Sequence, residues 1–92
     1  MMYDVRIENQ ARGTVRLCSF EDVSEAEDFA IRQALGGYTR TVTIYAGPTV
    51  IARYMRQNGQ LHKVTAGGTS VVDTRRWIEE RDAAIRRRWQ HA

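Results

Sequence analysis

The chain has 92 residues, of which 42% are apolar and 27% charged, a composition typical of a single globular domain over residues 1–92. It contains no apolar run of about 18 residues, and Met1-Met2-Tyr3-Asp4 lacks the layout of a secretory signal. We therefore expect a cytoplasmic protein that does not enter a membrane. A single cysteine, Cys18, excludes an internal disulfide and a cysteine-based zinc site.

The net charge of +3 is unevenly distributed along the chain. Residues 1–28 hold seven acidic and three basic side chains, whereas residues 29–72 hold five basic side chains and no acidic one. Residues 73–92 add six arginines and four acids. Because nucleic acid would repel the acidic segment, surfaces of both signs favour a protein partner. Lys63 is the only lysine among the fourteen basic residues, a bias typical of a GC-rich source genome.

Residues 3–20 predict an antiparallel hairpin. Side chains alternate between apolar and charged over residues 3–8, which is the period of a strand with one buried face. The segment 9–13 is rich in turn formers, and the segment 14–20 is again rich in strand formers. These two strands would be consecutive and antiparallel.

A helix is predicted over about residues 24–36. Ser24 and Glu27 have the spacing of a capping box, in which the hydroxyl and the carboxylate each satisfy a free amide of the first turn. Apolar residues recur at helical spacing through the segment. Gly36-Gly37 then supplies the stop.

Asn58-Gly59 is the strongest hairpin signal in the chain, because both residues accept the positive φ of a type I′ turn. It joins predicted strands over 49–57 and 60–66, and another predicted strand over 39–45 precedes them across the Gly47-Pro48 turn. A two-residue loop fixes which side chains share a face. One face carries Tyr54, Arg56, Leu61 and Lys63, and the other carries Arg53, Met55, His62 and Val64. The sequence leaves open which face covers the core.

A closing helix is predicted over about residues 72–90, with Ser70 or Asp73 as its cap. Its apolar residues recur at spacings of seven and four, so we expect this stripe to join the core. The stripe consists of Ile78, Ile85 and Trp89, with Trp77 beside it. The opposite side is rich in arginine and is expected to be available to a partner.

The predicted order β-β-α-β-β-β-α, joined by hairpin-length loops, is that of an α+β two-layer sandwich. We expect an antiparallel sheet of four to five strands with both helices on one face and the other face exposed. A parallel sheet is excluded because it would need more crossover connections.

The sequence contains no catalytic, cofactor-binding or metal-binding motif, so we expect no enzyme activity, no cofactor and no metal site. His62 and His91 are the only histidines, and their places on a strand and at the chain end do not suit a metal site. Residues 66–70 precede the closing helix and offer a place for an anion at its positive end, but a plain strand-to-helix joint requires the same residues.

Two functions fit these features. The first is a non-enzymatic interaction module that binds a host protein, with a homodimer left open. The alternative is a module that binds RNA or DNA, either through a basic and aromatic sheet face or through Arg86-Arg87-Arg88-Trp89. The candidate partner-binding residues are Arg40, Arg53, Tyr54, Arg56, Lys63, Arg75, Arg76, Arg86 and Arg87.

The segment from Ser24 to Ala66 combines an acidic-capped helix with generic strand and turn motifs. These motifs are Thr41-Val42-Thr43-Ile44-Tyr45, Val50-Ile51-Ala52-Arg53-Tyr54 and Asn58-Gly59. The segment resembles small proteins of unknown function from bacteriophages of actinobacteria, which implies an accessory protein of a phage or mobile element. The order α-β-β-β-α is also similar to the double-stranded-RNA-binding domain, but the segment 70–74 lacks the lysine-rich run that begins that family's closing helix.

Overall fold

The computed structural model describes residues 2–37 and 40–90, with side chains described up to Arg87. The chain forms a six-stranded antiparallel sheet, in the strand order β2-β1-β3-β4-β5-β6, with two helices on one face. The elements in chain order are β1 (Tyr3–Asn9), β2 (Thr14–Phe20), α1 (Val23–Leu35), β3 (Arg40–Ala46), β4 (Thr49–Gln57), β5 (Gln60–Thr65), β6 (Gly68–Val71) and α2 (Thr74–Gln90). The predicted α+β class is confirmed, and the sheet has six strands rather than four to five.

Strand β6 is the element that the sequence did not predict. Ala66 and Gly67 form a two-residue turn, and Thr65 pairs with Gly68 across the β5–β6 hairpin. Thr65 Oγ1 accepts a hydrogen bond from the Gly67 amide at 3.3 Å. Gly68 has a φ of 129°, a conformation that glycine tolerates because it lacks a Cβ. The two glycines therefore turn the chain back along the sheet instead of leading directly into α2.

The core lies between α1 and the face of the sheet that α1 covers. The helix presents three alanines and one isoleucine to the strands. The strands contribute mostly alternate residues, because side chains two positions apart lie on the same face of a strand. The buried hydrophobic residues are Val5, Ile7, Ala26, Ala30, Ile31, Ala34, Val42, Ile44, Ala52, Tyr54 and Leu61.

Aspartates cap both helices. At α1 the cap is Asp22, whose Oδ1 accepts a hydrogen bond from the Ser24 amide at 2.7 Å. The predicted capping box starting at Ser24 is wrong, because the carboxylate two residues earlier already satisfies an amide of the first turn. At α2 the Asp73 Oδ1 accepts from the Arg76 amide at 3.0 Å, which selects Asp73 over Ser70.

The β4–β5 hairpin has the predicted turn and register. Asn58 has a φ of 52° and Gly59 a φ of 77°, as a type I′ turn requires. Tyr54 pairs with Lys63 across the two strands. Tyr54 is buried in the core, so the face that carries it is the one covered by α1.

Replacing both turn residues, Asn58→Pro with Gly59→Val, is expected to lower the free energy of unfolding by more than about 1 kcal/mol. Proline fixes a negative φ, and valine is strained at positive φ. Urea denaturation measures the effect, with Gln57→Ala as a control beside the turn. An unchanged denaturation midpoint in the turn variant would contradict the type I′ assignment.

The prediction that Ile78 and Ile85 join the core is wrong, because they are 45% and 41% exposed. Trp77 is the α2 residue that packs against the core cluster, and the Arg81 guanidinium lies 5.5 Å from the centre of its ring. At about 100° per residue, the Trp77–Arg81 side of the helix is rotated by roughly 70° from the isoleucine stripe. Packing of the large indole ring against the core sets this rotation. The Trp89 side chain lies outside the described residues.

Candidate functional site

A groove separates the two helices on the covered side of the sheet. We name it the interhelical groove, and it has a volume of about 360 Å³. Ile85 contributes an exposed apolar wall, and Ile78 lies on the same side of α2 two turns earlier. The residues that line the groove are Asp28, Arg32, Arg81, Ala84 and Ile85.

The polar lining of the groove carries net positive charge. Arg32 Nη2 lies 3.0 Å from Asp28 Oδ2, so the one acid of the lining is paired. The Arg81 guanidinium stacks over Trp77 and forms no described salt bridge with a carboxylate. The groove therefore offers apolar surface next to a cation, a combination that suits an apolar side chain flanked by a carboxylate.

The arginines of α2 differ in their surroundings. Arg75 and Arg76 pair with Glu79 and Glu80 at 3.5 and 3.1 Å, so their charges are compensated. Neither Arg86 nor Arg87 takes part in a salt bridge among the described side chains. At about 100° per residue, Arg86 lies about 100° beyond Ile85 and Arg87 lies about 60° beyond Ala84, so Arg87 is the nearer of the two to the groove lining.

The second exposed surface is the face of the sheet that no helix covers, which we name the open face. Exposed apolar residues lie towards its margins, with Leu17 64% exposed on the edge strand β2. Polar side chains cover its centre, where Arg53 Nε donates to Thr43 Oγ1 at 3.4 Å and Thr43 is only 1% exposed. The exposed large hydrophobic residues of the open face are Val15, Leu17, Val50 and Val71.

The charges of the open face are largely satisfied within the chain. Arg6 Nε lies 3.3 Å from Glu8 Oε1 on the same strand. Asp4 Oδ1 accepts a hydrogen bond from Ser19 Oγ at 2.6 Å across the β1–β2 pair. The open face carries two acidic side chains, Asp4 and Glu8, and two arginines, Arg6 and Arg53. It is therefore not a basic surface. Such a balance favours a protein surface over a phosphate backbone as its partner.

The structure does not bring the nine predicted partner-binding residues together on one surface. Tyr54, Arg56 and Lys63 lie on the covered face, with Lys63 Nζ 5.8 Å from the centre of the Tyr54 ring. Arg53 lies on the open face with Tyr45, so the basic and aromatic residues considered for RNA binding are divided between two faces. The four α2 arginines, Arg75, Arg76, Arg86 and Arg87, are exposed.

Arg40 has a local partner at the end of α1. Its Nη1 donates to Gln33 O at 3.1 Å and lies 3.3 Å from Gln33 Oε1. A Cβ added to Gly36 would lie 2.6 Å from the same Nη1. The guanidinium thus caps the helix carbonyls where two glycines leave room for it, a favourable place for a cation.

Tyr54 is the described group whose pKa departs clearly from its ordinary value. Burial raises the pKa of the Tyr54 hydroxyl to about 12, and the negative charge of Glu27 on α1 contributes to the same direction. The side chain is 1% exposed beneath α1. This shift follows from a place in the core, and it does not create a reactive group at the surface.

Residues 66–70 belong to the β5–β6 turn and to strand β6, and α2 begins only at Thr74. Both interpretations of this segment, an anion site at the helix start and a plain strand-to-helix joint, are wrong because these residues do not lead directly into the helix. Over residues 2–37 and 40–90, no three His, Cys, Asp or Glu side chains are grouped in a way that could hold a metal ion. Neither helix, as far as it is described, is long and apolar enough to cross a membrane.

Comparison with known proteins adds no relative. No protein-family model, curated protein or solved structure matches this chain. The surfaces must therefore be interpreted from their own chemistry.

Sequence reasoning named Ile85 as a core residue and missed the interhelical groove. A signal was present in α2 itself, where nine of 17 residues are charged and few apolar residues are available to bury a complete face. The spacing of Asp28 and Arg32 also predicts their ion pair. No feature of the sequence indicates that the two helices leave a gap between them.

Proposed function

We propose that this chain is a non-enzymatic protein-interaction module, an accessory protein of a phage or mobile element that binds and modulates a host protein through the interhelical groove. The observation that carries the proposal is the exposure of Ile78 and Ile85, two turns apart, beside arginines without a described acidic partner. Exposed apolar stripes of this kind with a charged rim are typical of protein-binding surfaces.

The chemistry of the groove defines the partner segment. An apolar side chain would fill the space beside Ile85 and Ala84, and a carboxylate next to it would pair with Arg81 or Arg87. An amphipathic helix with acidic flanks has these groups at the required spacing and would lie along α2. Isoleucines that are nearly half exposed in the free chain would then become buried, which supplies the driving force.

The test is capture from a lysate of a GC-rich bacterium, with the chain immobilised and the bound proteins identified by mass spectrometry. Ile85→Asp is expected to reduce capture at least about tenfold, because it places a charge in the apolar wall. The matched control is Ala83→Asp, which introduces the same charge on an exposed part of α2 away from the groove. This control should capture the same proteins as the wild type.

A second pair of variants compares the contributions of Arg86 and Arg87 to binding. Arg87→Ser is expected to weaken capture more than Arg86→Ser, because Arg87 lies about 60° from Ala84 of the groove lining whereas Arg86 lies about 100° from Ile85. Both should change the free energy of unfolding by less than about 0.5 kcal/mol, because both side chains are exposed. Equal capture by the wild type and by Ile85→Asp would reject the groove as the binding surface.

Nuclease treatment distinguishes the nucleic-acid alternative. Capture that survives nuclease supports a protein partner. Capture that nuclease abolishes, together with a gel shift that weakens linearly with the logarithm of the salt concentration, would support RNA or DNA binding instead. In that case binding should fall when Arg40, Arg53, Arg56 and Lys63 are made neutral.

A further inference from the structure

We propose that two copies of this chain associate by packing the open faces of their sheets against each other. This inference uses a surface different from the interhelical groove and does not depend on it. Six strands about 4.8 Å apart, of four to nine residues with a rise of about 3.3 Å per residue, give a face of about 630 Å². Two such faces bury about 1,300 Å² in total, which lies at the lower end of specific protein interfaces.

Cross-strand pairing arranges the open face in rows that run across the sheet. The order in one complete row is Val15, Glu8, Thr41, Met55, His62 and Val71. The next row runs Leu17, Arg6, Thr43, Arg53, Val64 and Thr69, and the third contains Ser19, Asp4, Tyr45 and Val50. The first row begins with Val15 and ends with Val71, and its formal charge is carried by Glu8, on the strand next to the β2 edge.

A two-fold axis parallel to the strands and between β3 and β4 makes these rows complementary. It superposes each row on the same row of the second copy in reverse order. Glu8 of one copy then faces His62 of the other, and the imidazole N–H can donate to the carboxylate. Val15 likewise faces Val71 of the second copy, so the exposed apolar margins of both sheets are covered. Each of these pairs occurs twice by symmetry.

Other placements of the axis oppose like charges. An axis perpendicular to the strands lays β1 on β1, so that Arg6 faces Arg6 and Asp4 faces Glu8. A strand-parallel axis above β4 puts Arg53 against Arg53, and one above β3 puts Arg6 against Arg53. The axis between β3 and β4 avoids these repulsions and uses all six strands.

A depression in the open face fits this arrangement. It has a volume of about 290 Å³ and is lined by Val50, Arg53, Val64, Thr65 and Ala66. The proposed axis places Tyr45 of one copy above Val50 of the other, at the rim of this depression. The Tyr45 ring provides the apolar surface that fills the depression, and the Tyr45 hydroxyl can remain exposed to solvent at its edge. The two depressions are filled reciprocally.

Sedimentation equilibrium of the full chain near neutral pH tests the proposal. The wild type is expected to be a dimer at about 100 µM. His62→Glu should raise the dissociation constant at least about tenfold, because it opposes carboxylates at two symmetry-related places. Glu8→Lys combined with His62→Glu should restore dimerisation. Within one chain Glu8 and His62 are three strands apart, so this rescue can come only from contact between copies.

Circular dichroism melts confirm that each variant is folded, and Ala83→Asp on α2 serves as a control that should dimerise like the wild type. A wild type that stays monomeric at this concentration overturns the proposal. So does a dimer that His62→Glu leaves intact, or a loss of dimer that the double variant does not regain. Weakening by Ala83→Asp alone would place the interface on α2 instead.

Discussion

Ile44→Ala should lower the free energy of unfolding by about 3–4 kcal/mol. Ile44 is fully buried at the middle of β3, between Val5 and Ala52 on the adjacent strands. Removing its side chain beyond Cβ loses the transfer free energy of three carbons and leaves a cavity beneath α1. The rigid neighbours on both sides limit the collapse that would fill this cavity. Urea denaturation curves for the two proteins measure the difference.

The matched control is Ile85→Ala, the same change on α2. Its expected effect is below about 1 kcal/mol, because this isoleucine is already partly in water in the folded chain. The comparison also tests how α2 is rotated. If Ile85→Ala destabilised the protein as much as Ile44→Ala, the isoleucine stripe would face the core, as its spacing in the sequence predicts.

Local signals in the sequence were sufficient for most of the elements. The type I′ turn at Asn58-Gly59 fixed the β4–β5 register, and period-two alternation identified β1. These features depend on residues that are close in the chain, so φ preferences and spacing determine them. Strand β6 was missed because Gly67-Gly68 is typical of a strand break, whereas pairing with β5 continues the sheet through Gly68.

The faces of the sheet depend on contacts between distant residues and could not be predicted. Each side of the β4–β5 hairpin carries both apolar and charged residues, so hydrophobicity alone does not select the buried one. The choice is made by β3, where Val42 and Ile44 are buried under α1 and lie opposite Tyr54 and Ala52. The rotation of α2 is likewise set by the packing of Trp77, which a stripe of isoleucines did not reveal.

The same burial that determines the sheet face gives Tyr54 a measurable alkaline effect. Its pKa of about 12 in the folded chain lies above the ordinary value of 10.0, because burial disfavours the phenolate and Glu27 adds a repulsive charge. Between these two values the unfolded chain has released the Tyr54 proton and the folded chain has kept it. The unfolded state is therefore favoured progressively as the pH rises.

Tyr54 is expected to account for a loss of about 2 kcal/mol in unfolding free energy between pH 10 and pH 12, and for almost none below pH 9. Tyr54→Phe removes the titrating group and keeps the ring, so its stability should fall less steeply over this range. Tyr45→Phe, on the open face, should retain the loss because Tyr54 is still present. Denaturant curves at each pH give the three slopes. Parallel slopes for the wild type and Tyr54→Phe would show that the Tyr54 hydroxyl is in contact with water, and α1 would then not cover β4 as described.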